Sequence, residues 1–207
     1  MNLKNVYWYF KEELSSDFCD KIIEHGNSKR EKLAMIGDYA KKKKITKKDE
    51  LNLKKKRNSN VAFLSDPWIY QKIVPIIETA NRNAEWNFEI SYFESIQFTK
   101  YKLNQFYSWH SDPFPGPYDR PNVPDFHGKI RKLSAVVQLS DPKNYKGGEF
   151  EIQPRNTDKP NYKINVKEIK PKGSVLVFPS HLWHRVKPVT KGIRYSLVIW
   201  CLGYPFK

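Results

Sequence analysis

Cysteine is scarce. The 207-residue chain carries two, Cys19 and Cys201, which is too few for a disulfide framework and fits a reducing compartment. Cys19 shares a helical face with Ile22 and Ile23, and Cys201 shares a strand face with Leu197 and Ile199, so both are expected as core thiols rather than nucleophiles or metal ligands. No apolar run approaches the roughly twenty residues that a membrane span needs, so none is expected. The segment Met1–Phe10 lacks the basic-then-apolar layout of a secretion signal. These absences together predict a soluble, cytoplasmic protein.

What is plentiful is aromatic residues and positive charge. At 14% Phe, Trp and Tyr, mostly within alternating segments, the chain reads as folded and β-rich. Its length suits one domain spanning 1–207, with a helical support region over 1–87 and a β core over 88–204. The formal charge is +15, but Lys41 to Arg57 alone holds ten Lys/Arg against Asp49 and Glu50. That segment, 41–57, therefore accounts for +8 and leaves the rest only mildly basic. It is expected as a solvated, mobile insertion with a poorly packed helix or loop, and an acidic partner or nucleic acid is its alternative use.

Along the chain, Val6 to Phe10 suggests a short strand, and Ser15 or Ser16 caps a helix over about Asp17–Glu24. His25, near its C-terminal end, suits the helix dipole. Asp66-Pro67 opens a second helix with an apolar stripe of Ile69, Ile73, Ile76, Ile77 and Ala80. From Phe88 onward the pattern turns to strands: Glu94–Tyr101, Arg131–Ser140, Gly148–Gln153, Tyr162–Ile169, Ser174–Phe178 and Ile193–Leu202. Helices followed by many short strands predict a mainly β fold with N-terminal helices, a jelly roll (double-stranded β-helix) with the helices on the outer face of one sheet. Between Pro113 and Gly128 stand five prolines and two glycines, which predicts a long surface loop and excludes a central strand.

The stretch Gln105–Asp112 (QFYSWHSD) organises the rest. Strand alternation places Phe106, Ser108, His110 and Asp112 on one face, so an imidazole and a carboxylate can converge. These are two of the three ligands of a facial triad for non-haem Fe(II). Pro179–Val186 (PSHLWHRV) offers His181 and His184 as a third; His127, in the proline-rich loop, is a remoter surface candidate. In the last strand Arg194, Ser196, Val198 and Trp200 share a face, while Ile193, Tyr195, Leu197, Ile199 and Cys201 point the other way, a face that suits packing beneath the helices. An interior arginine requires an anion, and no acidic residue stands near it on that strand. A dicarboxylate bound by the Arg194 guanidinium, with Ser196 adding a hydroxyl, would supply one.

H-x-D, a distal His within H-R-V-x-P-V, and an arginine ten residues later resemble the 2-oxoglutarate-dependent Fe(II) oxygenases, in particular the prolyl hydroxylase (PKHD-type) branch. The resemblance covers Glu94 to Leu202 and implies His110, Asp112 and His184 as the metal ligands and catalytic centre. It also implies Tyr101, nine residues before the first ligand, as a contact of the cosubstrate beside Arg194 and Ser196. Tyr107, Arg131 and Trp200 match positions on the substrate side, and Gly147-Gly148-Glu149 sits at a family turn. Two departures stand out: collagen-type enzymes carry lysine at the position of Arg194, and Gln138 occupies a cosubstrate-pocket position often held by tyrosine. The activity implied is an Fe(II)-, 2-oxoglutarate- and O2-dependent hydroxylation of prolyl residues in a peptide or protein, with release of succinate and CO2, and with ascorbate as an optional accessory reductant. The Pro113–Gly128 loop would be its lid. Alternatives are the same chemistry on a free amino acid, a lysyl or asparaginyl residue or a small metabolite, nucleic-acid demethylation, and a metal-free basic β-sandwich binding module. The demethylase branch carries a second arginine where Trp200 stands.

Overall fold

The computed structural model describes residues 3–35, 45–154 and 162–206. Its helices are α1 (Ser16–Ser28), α2 (Lys47–Lys56) and α3 (Pro67–Asn83). The first strands are β1 (Trp8–Phe10), β2 (Lys32–Leu33), β3 (Arg57–Asn58), β4 (Asn60–Leu64), β5 (Tyr92–Phe93), β6 (Ile96–Tyr101) and β7 (Phe106–His110). The rest are β8 (Ile130–Gln138), β9 (Tyr145–Gly147), β10 (Phe150–Gln153), β11 (Ile164–Asn165), β12 (Val175–Pro179), β13 (Trp183–Val186), β14 (Val189–Gly192) and β15 (Arg194–Gly203).

The larger sheet has the order β1-β12-β8-β15-β6-β4-β2, with β5 added to β15; the smaller has the order β11-β10-β13-β7-β3. Every neighbouring pair in both is antiparallel. Two apolar clusters explain the layering. One joins the outward residues of the larger sheet, such as Val137, Leu197, Ile199 and Cys201, to Cys19, Ile22, Ile69, Ile73 and Ile77 of α1 and α3. The other interleaves Val136, Leu176 and Phe178 of the larger sheet with Phe150, Ile152 and Val186 of the smaller. The result is the expected jelly roll with helices against one outer face. The two sheets do not close into a barrel, and each fully buried Ile or Leu between them stabilises it by about 1.5–3 kcal/mol.

The helices begin where their caps stand. Ser15 Oγ accepts from the Phe18 amide at 3.2 Å, starting α1. The helix runs past the expected end at Glu24 because Gly26 does not terminate it: a Cβ there would stand 2.6 Å from the Phe98 ring, so glycine permits close packing on β6. In α3, Pro67 occupies the first turn, and Asp66 takes His25 as its partner at 2.8 Å instead of capping the backbone. Both cysteines are fully buried, as expected, and burial pushes the Cys19 thiol up to about 11. Among the described residues, no helix is long and apolar enough to cross a membrane.

Two expectations need correction. Tyr162–Ile169 is not one strand: only Ile164–Asn165 pairs, at the sheet edge, and Lys167–Ile169 forms a 3-10 turn that buries Ile169. The lysine-rich segment is not merely a solvated insertion, although 41–44 lie outside the described residues. A capping box between Thr46 and Asp49 starts α2, Leu53 is fully buried, and the helix delivers Arg57 into the interior as the first residue of β3.

Candidate functional site

The site lies between the sheets, where β7 and β13 of the smaller sheet face β6, β15 and β8 of the larger. On the larger sheet, register aligns the inward residues. Ser196 pairs with Gln138 and Thr99, Val198 with Val136 and Gln97, Trp200 with Ser134, and Arg194 with Tyr101. The face assigned to Arg194, Ser196, Val198 and Trp200 from alternation is therefore the interior one.

On β7 the alternation fails. His110 pairs with His184 and Tyr107 with Val186, so three steps on β7 match two on β13. This β-bulge exposes Ser108 and brings Tyr107 to the side of His110, their ring centroids 3.4 Å apart. The face expected to hold Phe106, Ser108, His110 and Asp112 instead holds Tyr107, His110 and Asp112. Alternation cannot see an extra residue that only the partner strand reveals.

His110, Asp112 and His184 converge, with their ligating atoms within 4.8 Å of one another. Nε2 of His110 lies 3.7 Å from Asp112 Oδ1, and Nε2 of His184 lies 3.7 Å from Oδ2. Each imidazole donates Nδ1–H to a carbonyl two residues back, His110 to Ser108 at 2.8 Å and His184 to Leu182 at 2.9 Å. A carbonyl only accepts, so the proton of each neutral ring sits on Nδ1, and the Nε2 atoms face the same point. Burial and the neighbouring His184 ring hold His110 well below the usual histidine range, which keeps it neutral and able to ligate. Burial alone would raise Asp112, but the two imidazoles, Arg131 and the Ser134 hydroxyl outweigh it and lower its pKa. Two imidazole nitrogens and one carboxylate make up the donor set of a non-haem Fe(II) centre. His181 and His127 are both exposed and outside this cluster.

The carboxylate is held from behind. Ser134 Oγ donates to Asp112 Oδ2 at 2.6 Å and lies 2.9 Å from Ser180 Oγ, while Arg131 Nη1 donates to the Asp112 carbonyl at 3.2 Å. Arg131 grips Glu94 through Nε and Nη2, at 2.6 and 2.7 Å, and stacks on Trp200 with its guanidinium 3.8 Å from the ring centroid. Tyr118, from the proline-rich loop, donates its hydroxyl to Glu94 at 2.9 Å, tying that loop to the site.

Arg194 is 2% exposed, and its Nη1 is buried without a hydrogen-bond partner. Among the described residues no carboxylate pairs with it; its nearest aromatic is Tyr101, 5.6 Å from guanidinium to ring centroid. The buried Nε1 of Trp200 also lacks a partner. Gln138 donates to the Ser140 carbonyl at 3.1 Å and to Tyr145 Oη at 3.0 Å, close to Arg194 in a cavity of about 300 Å³. Sequence reasoning missed Ser134, Ser180, Glu94 and Arg57. Continuing the inward alternation from Gln138 through Val136 would have found Ser134; Arg57 is marked only by Leu53 four residues before it, and no local signal marks Ser180 or Glu94.

A family model described as the 2OG-Fe(II) oxygenase superfamily matches residues 96–202. A PKHD-type hydroxylase of Pseudoalteromonas atlantica is 34% identical over 106 residues, covering 50% of this chain and 41% of that protein. The match thus spans about two fifths of such a relative's length. A viral collagen prolyl hydroxylase from Paramecium Bursaria Chlorella virus-1 superposes with a TM-score of 0.64 at 19% identity, covering 97% of both chains. A prolyl hydroxylase from Trichoplax adhaerens, solved with a hypoxia inducible factor peptide, gives 0.64 at 14% identity, covering 96% of this chain and 84% of its own. At these identities the solved structures establish the fold alone.

Proposed function

The chain belongs to the 2OG-Fe(II) oxygenase superfamily, and from that premise we propose that it hydroxylates prolyl residues in a peptide or protein. His110, Asp112 and His184 would hold Fe(II) through the two Nε2 atoms and the carboxylate. Arg194 would seat the distal carboxylate of 2-oxoglutarate, with Tyr101, Ser196 and Gln138 shaping that end. The observation that carries this reading is the orphaned Nη1 of Arg194, a buried cation lacking the anion that its position demands. With O2, the bound iron and 2-oxoglutarate supply an oxidative decarboxylation to succinate and CO2 coupled to insertion of one oxygen into a C–H bond.

The chain's own groups orient and exclude. The backbone carbonyls of Ser108 and Leu182 fix both imidazole tautomers, and Ser134 fixes the carboxylate. Phe150 and Phe178 flank the His184 ring and keep water from it. The space at the candidate ligands themselves is only about 30 Å³, and the cavity of about 300 Å³ beside Arg194 and Gln138 adjoins the same arginine. Tyr107 and Trp200 line both the space at the candidate ligands and an open groove of about 640 Å³ that runs under the proline-rich loop, where a peptide would lie, and Arg131 lines the groove. The names of the solved relatives support a prolyl substrate.

The test is turnover. Purified chain with Fe(II), 2-oxoglutarate and a proline-containing peptide library should convert cosubstrate to succinate while peptides gain one oxygen on proline. Succinate release with oxygen found only on lysine, asparagine or a small molecule would keep the oxygenase and reject the prolyl assignment.

A further inference from the structure

Arg194 is not the only interior cation without a counter-charge. Arg57 is 3% exposed, stacks on Tyr107 with its guanidinium 4.4 Å from the ring centroid, and donates Nε–H to Ser59 Oγ at 3.0 Å. It lines both the cavity at the metal ligands and the groove leading into it. The two carboxylates beside it are already engaged: Glu94 by Arg131 and Tyr118, Asp112 by Ser134 within the ligand set. Among the described residues none pairs with Arg57, and the same groove adds Lys32 and Arg120. Burying a guanidinium is unfavourable unless an anion meets it, and a planar fork beside a reaction centre suits a carboxylate.

We propose, building on the oxygenase reading above, that Arg57 is a second anion seat at the mouth of the site, selecting substrates that carry a carboxylate next to the reacting residue. The carboxylate could belong to an aspartate or glutamate side chain or to the substrate's C-terminus. Arg194 and Arg57 then divide the labour, one for the cosubstrate and one for the substrate.

Three blocked peptides separate the sources: one with aspartate before proline, its asparagine counterpart, and the asparagine peptide ending in a free carboxylate just after proline. Their binding is measured anaerobically by calorimetry to the full chain with Fe(II) and saturating 2-oxoglutarate. At least one carboxylate probe should bind roughly tenfold or more tighter than the neutral one, the scale of one charged hydrogen bond. Arg57→Met should erase that preference and Arg57→Lys retain part of it, while 2-oxoglutarate affinity measured without peptide stays unchanged. Equal binding of all three probes to the wild type overturns the proposal, and this comparison needs no variant that might fail to fold. A loss of 2-oxoglutarate affinity in Arg57→Lys also overturns it, by placing Arg57 in the cosubstrate's seat. Carboxylate-dependent binding without oxygen transfer to proline would refute the prolyl assignment and leave the anion seat standing.

Discussion

Replacing Arg194 with methionine should strengthen the empty protein and disable the cosubstrate site at once. The side chain is 2% exposed, and its Nη1 donor has no partner, a desolvation penalty of about 1–3 kcal/mol in the unliganded state. Its stack beside Tyr101, at 5.6 Å, returns only about 0.5–1 kcal/mol. Methionine keeps most of the aliphatic stem, so the net change in unfolding free energy should lie between zero and about 2 kcal/mol in favour of the variant. With 2-oxoglutarate the sign reverses. Removing one partner of a buried charge pair costs about 3–5 kcal/mol, which corresponds to roughly 10²–10⁴-fold weaker binding. Wild-type protein at 100 times Kd should gain about 2.7 kcal/mol from the ligand, and the variant at the same concentration almost nothing. Urea unfolding with and without 2-oxoglutarate, together with an anaerobic titration of the Fe(II) form, reads both effects. A variant that is less stable when empty, yet binds 2-oxoglutarate as the wild type does, would show that Arg194 is a structural cation and refute the assignment.

Further predictions follow from the groups around the site. Ser134→Ala removes the 2.6 Å hydrogen bond to Asp112 Oδ2 and should weaken Fe(II) binding by about 10–100-fold, while Ser180→Ala, one bond further out, costs only a few-fold; equal affinities by anaerobic calorimetry would remove Ser134 from the centre's support. Gly148 has φ +66°, and a Cβ there would stand 2.9 Å from Arg194 Cδ, so Gly148→Ala should raise the KM for 2-oxoglutarate and cost about 1–2 kcal/mol of stability. An unchanged KM would show that Arg194 has slack. The hydrogen bond from Lys100, 2.8 Å from Glu31 Oε1, holds that carboxyl below its ordinary range. The folded state therefore gains stability above the unfolded carboxylate pKa and loses it as pH falls from the ordinary carboxylate range through the lower folded value. Glu31→Gln should flatten that part of the stability profile; a profile identical to wild type would mean that the pair is solvent-screened.

The parts legible in the sequence are those whose signal is periodic and local. Ile69, Ile73, Ile77 and Ala80 repeat at helical spacing and are buried in α3, and residues 194–200 alternate faithfully because β15 is a central strand, paired with β6 over 194–198 and with β8 from 196 onward. The candidate ligands His110, Asp112 and His184 were legible because H-x-D and the later histidine stand in family order, not because alternation was obeyed. Along β7 it was broken: the bulge opposite His184–Val186 moved Tyr107 onto His110, and only the partner strand records it. Ser134, Glu94 and Arg57 stayed hidden for a related reason. Each matters through a partner distant in the chain, Ser134 through Asp112 22 residues away and Glu94 through Arg131 37 away. Arg57 was masked by its neighbours, since a buried guanidinium at the end of a lysine run reads as one more solvated charge. What separates it is Leu53, four residues earlier on α2 and fully buried, which marks the side of the helix end on which Arg57 enters the interior while Lys54, Lys55 and Lys56 stay exposed. A charge run is informative at the position where an apolar residue four places before it takes that face into the core.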